Sequence, residues 1–187
     1  AAAERAKYAE VWSAVAEYKH FSPGLQNVKR FMDVIKPDIG TTLIDIGCGA
    51  GVAGLEFHEY GVQVDWLDLT DAGLEPEVDR RRFIEAPIWS PWWGAKRKQG
   101  WDYGFCCDVM EHIPPEFTML CVSRILDACR TTWFQIALVP DEFGKAIGTP
   151  LHLTVQPYKW WLERLASLGK VIDARDLCGV ALYVVTR

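Results

Sequence analysis

The stretch that most constrains this chain is Thr41-Thr42-Leu43-Ile44-Asp45-Ile46-Gly47-Cys48-Gly49-Ala50-Gly51. Its nearly unbroken apolar run is the pattern of a strand buried on both faces, which belongs to parallel sheets covered by helices. Three glycines at alternate positions then allow a sharp turn and let a ligand approach the backbone where a Cβ would obstruct it. Val52 to Glu59 continues as helix, Gly61 stops it, and Val62 to Leu69 reads as a second strand. Strand, glycine turn, helix and strand in this order commit the chain to an α/β layout with a ligand crevice at the carboxyl ends of its strands. Asp68 closes the second strand roughly 20 residues after the turn, where a carboxylate can accept both hydroxyls of a ribose.

The remaining segments extend that layout. Helical spacing of Tyr8, Val11, Trp12 and Val15 predicts a helix from Ala2 to Tyr18, and Ser22-Pro23-Gly24 precedes another from Leu25 to Ile35. Arg82 to Ile88, Asp102 to Val109 and Thr132 to Val139 read as strands three to five, with a helix from Pro115 to Cys129 between the last two. A loop from Pro140 to Pro150 leads to a helix from Pro157 to Leu168. Two final strands, Val171 to Asp176 and Val180 to Thr186, are joined by so short a link that they must pair antiparallel. The expected fold is a three-layer, Rossmann-like α/β sandwich around a seven-stranded, mostly parallel sheet that ends in an antiparallel hairpin. A chain of 187 residues buries enough surface for one such core, so a single domain is expected over 1–187, with 1–37 as a helical cap and 41–187 as the sheet domain.

Glycines at Gly47, Gly49 and Gly51 do not follow the G-x-G-x-x-G spacing that sets a pyrophosphate on a helix N-terminus. Asp45, two residues before the first glycine, would repel a phosphate and attract a cationic ammonium group. The segment resembles motif I of the class I S-adenosylmethionine-dependent methyltransferases. Trp66-Leu67-Asp68-Leu69-Thr70 is similar to that family's ribose-binding segment, and Trp101 to Pro114, with its Glu-His-Ile-Pro turn, is similar to its motif IV. Within the family, Tyr18 to Gly24, Cys107 to Pro114 and Leu151 to Val155 look most like small methyltransferases encoded by bacteriophages. The resemblance implies S-adenosyl-L-methionine as cofactor, with Asp45, Gly47, Cys48, Gly49, Gly51, Asp68, Leu69, Ala86, Ile88 and Asp108 around it. Pro87 stands where many relatives carry an adenine-binding Asp. Backbone groups near Ala86 and Ile88, with packing on Leu69 or Trp89, are therefore expected to hold the adenine, and Glu85 is a possible substitute.

On the acceptor side the resemblance implies catalytic roles for Asp108, Glu111, His112 and His152. Asp108 would orient or deprotonate the acceptor, and a histidine at position 112 would titrate near neutrality. Glu111 and His112 equally suit the cap of the following helix, and His152 between Leu151 and Leu153 suits a half-buried packing residue. Tyr8, Trp12 and Tyr18 either cover the cleft or pack in the core. The tryptophans from Trp89 to Trp101 either stack on a flat acceptor or plug the core. Cys106 and Cys107 lie inside a strand, where burial would suppress a thiolate.

Composition sets the outer limits. Twenty basic and twenty-five acidic residues give a net charge of -5, so no whole-molecule field attracts nucleic acid. Arg80-Arg81-Arg82 and Lys96-Arg97-Lys98 are the candidate basic patches. Six cysteines include no C-x-x-C pair, so neither a disulfide framework nor a zinc site is expected, and the chemistry is expected to be metal-independent. The N-terminal residues lack the apolar core of a signal peptide and no long apolar span occurs, so a cytoplasmic protein is expected, in a host cytoplasm if phage-encoded. The expected partner is a small-molecule or nucleotide acceptor, with no strong duplex binding and no membrane. Another S-adenosylmethionine user, an aminopropyl transferase or lyase, and a non-catalytic cofactor-binding subunit remain alternatives.

Overall fold

The computed structural model describes residues 2–14 and 22–187. Seven strands form one sheet in the order β3-β2-β1-β4-β5-β7-β6. They are β1 (Thr42–Ile46), β2 (Gln63–Asp68), β3 (Phe83–Glu85), β4 (Trp101–Cys107), β5 (Cys129–Ala137), β6 (Lys170–Asp176) and β7 (Val180–Thr186). β1 pairs in parallel with β2 and β4, β2 with β3, and β4 with β5. β7 runs antiparallel to both β5 and β6, which is the expected closing hairpin. No described helix is long and apolar enough to cross a membrane.

Side-chain alternation divides the core between the two sheet faces, because successive strand residues point to opposite sides. On one face Leu43, Phe105, Trp133, Leu182 and Val184 meet α2 (Pro23–Ile35) and α3 (Val52–Glu59). On the other, Ile44, Cys106, Phe134, Tyr183 and Val185 meet α4 (Pro115–Ala128) and α5 (Tyr158–Leu168). Phe31 of α2 is the hub of the first face, making edge contacts at 5.0 to 5.7 Å with Phe57, Tyr103, Phe105 and Trp133. This helix begins at Pro23, ahead of the expected Leu25: Ser22 Oγ accepts the Leu25 N–H at 3.3 Å as its cap, and Pro23 occupies the first turn. Gly54 lets α3 lie on the sheet, since a Cβ there would stand 2.1 Å from Trp66 Nε1.

Most described element boundaries shift from expectation by only a residue or two, and β3 and β5 depart further. α1 is Ala2–Ala14, and Tyr18 lies outside the described residues. β3 is three residues instead of the seven expected: Ala86 N–H still donates to Asp68 O at 2.8 Å, but Pro87 has no N–H with which to continue the ladder. β5 starts at Cys129, directly at the end of α4, earlier than the apolar pattern indicates. The tryptophan-rich segment divides: Trp93 and Trp101 are core residues, 1% and 2% exposed, with indole N–H groups bonded to Ile88 O and Asp65 Oδ2. Arg80, Arg81 and Arg82 are each paired with an aspartate, so that cluster is a solvated face with its charge matched. All six cysteines are free.

Candidate active site

β1 is the topological switch, with its successor β2 on one side and β4 on the other, so the crevice opens at its carboxyl end. Two adjoining hollows of about 700 and 780 Å³ lie there and share Trp12, Gly47, Gly49, Asp108 and His112 in their walls. The first is completed by Asp68, Leu69, Ala86, Pro87, Ile88 and Trp89, and α1 contributes Glu4 and Tyr8. The second contains Asp45, Cys48, Cys107, Asp141, Phe143 and His152. Gly49 has φ +54, and a Cβ on it would come within 3.1 Å of Trp12, so the glycine makes room for the wall that α1 supplies.

The two acids of the glycine turn are held differently. Asp68 Oδ2 accepts the Gly49 N–H at 2.8 Å, and Oδ1 accepts those of Leu69 at 2.6 Å and Thr70 at 3.3 Å. Burial raises its pKa, and these donors oppose the rise. Asp45 is 4% exposed and its Oδ2 has no hydrogen-bond partner. Burial, with the charge of Asp68 adding to it, pushes the Asp45 pKa up to about 7. Cys48, Cys106 and Cys107 are raised well above the ordinary thiol value by burial, which leaves them without a thiolate role.

At the end of β4, Asp108 adopts φ +52 and is fastened to β5 twice: its N–H donates to Gln135 O, and Gln135 Nε2 donates to its Oδ1, both at 2.9 Å. Burial raises Asp108, while the Gln135 bond and positive charge on His152 work against it. His112 and His152 touch edge to face with ring centroids 4.7 Å apart. The Nδ1 of His112 lies 3.1 Å from Leu151 O and that of His152 lies 2.6 Å from Val139 O. A carbonyl only accepts, so each Nδ1 carries a proton, and on a neutral ring the lone pair stands at Nε2.

The structure brings Asp45, Gly47, Cys48, Gly49, Asp68, Leu69, Ala86, Ile88, Asp108, His112 and His152 together around the hollows and leaves two expected residues out. Gly51 does not line them. It starts α3 at φ +80 with Val78 close against it, and its carbonyl accepts the Trp66 indole N–H. Glu111 is fully buried behind the site: Oε1 accepts the Ala137 N–H at 3.0 Å, and its own carbonyl accepts the Leu153 and Thr154 N–H groups. It caps no helix either, since α4 starts at Pro115 behind Pro114 with no side-chain cap.

Three further expectations need correction. His112 does not titrate near neutrality; burial, reinforced by His152, lowers its pKa to about 3. Glu85 is not in the hollow but pairs with Arg5 at 3.3 Å, and Arg5 Nε also donates to Leu69 O, which ties α1 to the ends of β2 and β3. The Ala86 N–H and Ile88 carbonyl, expected to face adenine, are spent on Asp68 O and the Trp93 indole. Spacing in the sequence also gave no sign that Glu111, His112 and His152 each bring a nitrogen or oxygen atom within 4.8 Å of the others.

Two residues had no place in the sequence reading. Asp141 accepts the Gly144 N–H on Oδ1 and those of Leu151 and His152 on Oδ2, and so shapes the loop that carries His152. Burial alone would raise its pKa, but these three donors hold it below the ordinary value. Gln135 was detectable as the lone amide within an apolar strand, and a buried amide needs a partner. Asp141 was detectable only as a Pro-Asp turn signal.

The fold is that of the class I S-adenosylmethionine-dependent methyltransferases. No protein-family model matches the chain. The 1,6-didemethyltoxoflavin-N1-methyltransferase of Burkholderia thailandensis, solved with 1,6-didemethyltoxoflavin and S-adenosylhomocysteine bound, is similar over 100% of this chain and 88% of that one, with a TM-score of 0.72 and 16% identity. The magnesium protoporphyrin IX methyltransferase of Synechocystis PCC 6803, solved with S-adenosylmethionine, covers 100% of this chain and 91% of its own at a TM-score of 0.64 and 14% identity. By sequence, the ubiquinone biosynthesis O-methyltransferase of Thiobacillus denitrificans is 26% identical over 137 residues, 67% of this chain and 58% of that protein. The chain thus spans little more than half the length of that curated relative.

Proposed function

We propose that this protein transfers a methyl group from S-adenosylmethionine to a protonated oxygen or nitrogen of a small-molecule or nucleotide acceptor seated in the second hollow. The observation that carries this reading is Asp45, a buried carboxylate with an unpartnered oxygen beneath the glycine turn. An orphaned buried acceptor is costly and suits a cationic amine. A phosphate there would meet only repulsion. Asp68, on the first hollow, has the position and remaining acceptor capacity for ribose hydroxyls. Leu69, Pro87, Ile88 and Trp89 provide apolar walls for an adenine.

When bound, S-adenosylmethionine supplies a methyl on a positively charged sulfur, a leaving group that needs alignment more than covalent assistance. Asp108 and the Nε2 of a neutral His152 border the second hollow as acceptors for an acceptor proton; Gln135 fixes the Asp108 side chain, Val139 O the His152 ring, and Asp141 the backbone N–H of His152. His112 stays neutral and shapes the wall between the hollows. α1 closes the cleft and keeps water from the reacting atoms. That the curated relative is an O-methyltransferase favours a hydroxyl acceptor.

Radiolabelled methyl transfer onto a panel of phenols and nucleosides, with chromatography of the spent cofactor, tests the reading. S-adenosylhomocysteine as product is expected. Methylthioadenosine as product would assign the cleft to aminopropyl or lyase chemistry, and thermal protection by NAD but not by S-adenosylhomocysteine would overturn the cofactor assignment.

A further inference from the structure

The corner behind the second hollow gathers three candidate ligand groups, with Asp141 and the cationic Lys7 both acting on His112 from outside it. A carboxylate oxygen of Glu111 and one ring nitrogen each from His112 and His152 all lie within 4.8 Å of one another. Glu111 is 0% exposed, and while its Oε1 takes the Ala137 N–H, its Oε2 has no partner. Among the described residues no Lys or Arg forms an ion pair with Asp108, Glu111 or Asp141. A fully buried carboxyl oxygen without a partner is relieved either by a proton or by a cation.

The two histidines favour a cation. Each gives its Nδ1–H to a backbone carbonyl, Leu151 for His112 and Val139 for His152, which leaves a fixed Nε2 lone pair on each ring. Metal-bound histidines are usually oriented in this way, with the second ring nitrogen donating to a carbonyl or carboxylate. Two neutral imidazoles facing one carboxylate form a donor set for first-row divalent metals, and no cysteine belongs to the cluster. Neighbouring ligands around a cation about 2.1 Å away stand roughly 3.0 to 3.5 Å apart, so small side-chain rotations would close the present spacing.

We propose that Glu111, His112 and His152 form a binding site for one divalent first-row transition cation, of the zinc or manganese class, beside Asp108 at the acceptor end of the cleft. Both histidines line the second hollow, so the open positions of the cation are offered to that hollow and take an oxygen of the acceptor. This use of the cation rests on the methyl-transfer reading, whereas the site itself does not.

Full-length protein, stripped with a chelator and dialysed, is titrated with Mn²⁺ while free Mn²⁺ is followed by electron paramagnetic resonance, and separately with Zn²⁺ by calorimetry. One cation per chain is expected, with affinity lowered about tenfold or more in His152→Gln and in Glu111→Gln. His58→Gln, remote from the cluster, should match the wild type. No uptake of either metal at millimolar concentration, or uptake that both cluster variants leave unchanged, overturns the site and leaves Glu111 a buried neutral acid. S-adenosylhomocysteine binding is measured on the same samples. Cofactor binding without metal uptake removes the cation site alone, and metal uptake without cofactor binding removes the methyl-transfer reading alone.

Discussion

Asp45 offers the sharpest single-residue measurement. Its folded pKa of about 7 lies above the ordinary carboxylate value, so the folded protein holds this proton more tightly than the unfolded chain does. The contribution of Asp45 to stability therefore falls as pH rises from about 4 to about 7 and is flat above that. A cationic amine reverses the balance, because it binds the ionised form. Affinity for S-adenosylhomocysteine should rise about tenfold between pH 6 and 8, roughly the change in ionised fraction of a group with a pKa near 7. Calorimetry across that range checks this. Asp45→Asn should bind weakly and without the pH slope, and a slope retained in that variant would exclude Asp45 as its source. Asp68→Ala should weaken binding by about 1 to 3 kcal/mol through lost hydrogen bonds to a buried carboxylate. The same variant frees the Gly49 and Leu69 N–H groups, so a fall in thermal stability should accompany the loss.

At the scale of elements, the glycine turn works only because α3 sits close to the sheet. Gly54→Ala would place a methyl 2.1 Å from Trp66 Nε1, and the indole cannot yield easily because it is fully buried and bonded to Gly51 O. Overpacking of this kind costs about 1 to 3 kcal/mol, which denaturant unfolding should register as a lower midpoint at unchanged slope. Gly49→Val should abolish cofactor binding and also lower stability, since a β-branched residue is strained at φ +54 and its side chain enters the space between the turn and Trp12. Helix and strand existence was legible from periodicity, and Pro115 marked its helix start, whereas Ser22 and Pro23, read as a break before Leu25, proved to be the cap and first turn of α2. The length of β3 was not, because the local pattern shows β-compatible residues up to Ile88 while the ladder needs an N–H that Pro87 lacks.

For the whole molecule, the cleft is a junction between the sheet and α1. Arg5 ties this helix to Glu85 and Leu69, Trp12 fills the wall above Gly49, and Val11 packs on Leu151 of the His152 loop. Ligand that fills the cleft should steady these contacts together. Hydrogen exchange should slow in α1 on addition of S-adenosylhomocysteine while α4, packed on the opposite face of the sheet, stays unchanged. Equal slowing in both helices would mean that α1 is no special cover. The sequence by itself determined the mostly parallel α/β sheet, the closing hairpin and the glycine turn with its two acids, because alternation, turn residues and short links act between neighbours along the chain. Only the tertiary structure decided the strand order, that Glu111 is buried with one oxygen unpartnered, that His112 stays neutral, that Gln135 and Asp141 hold the acceptor-side segments, and that His152 returns to Glu111 across a loop. Burial and through-space charge depend on what the fold brings near, and no spacing in the sequence records that.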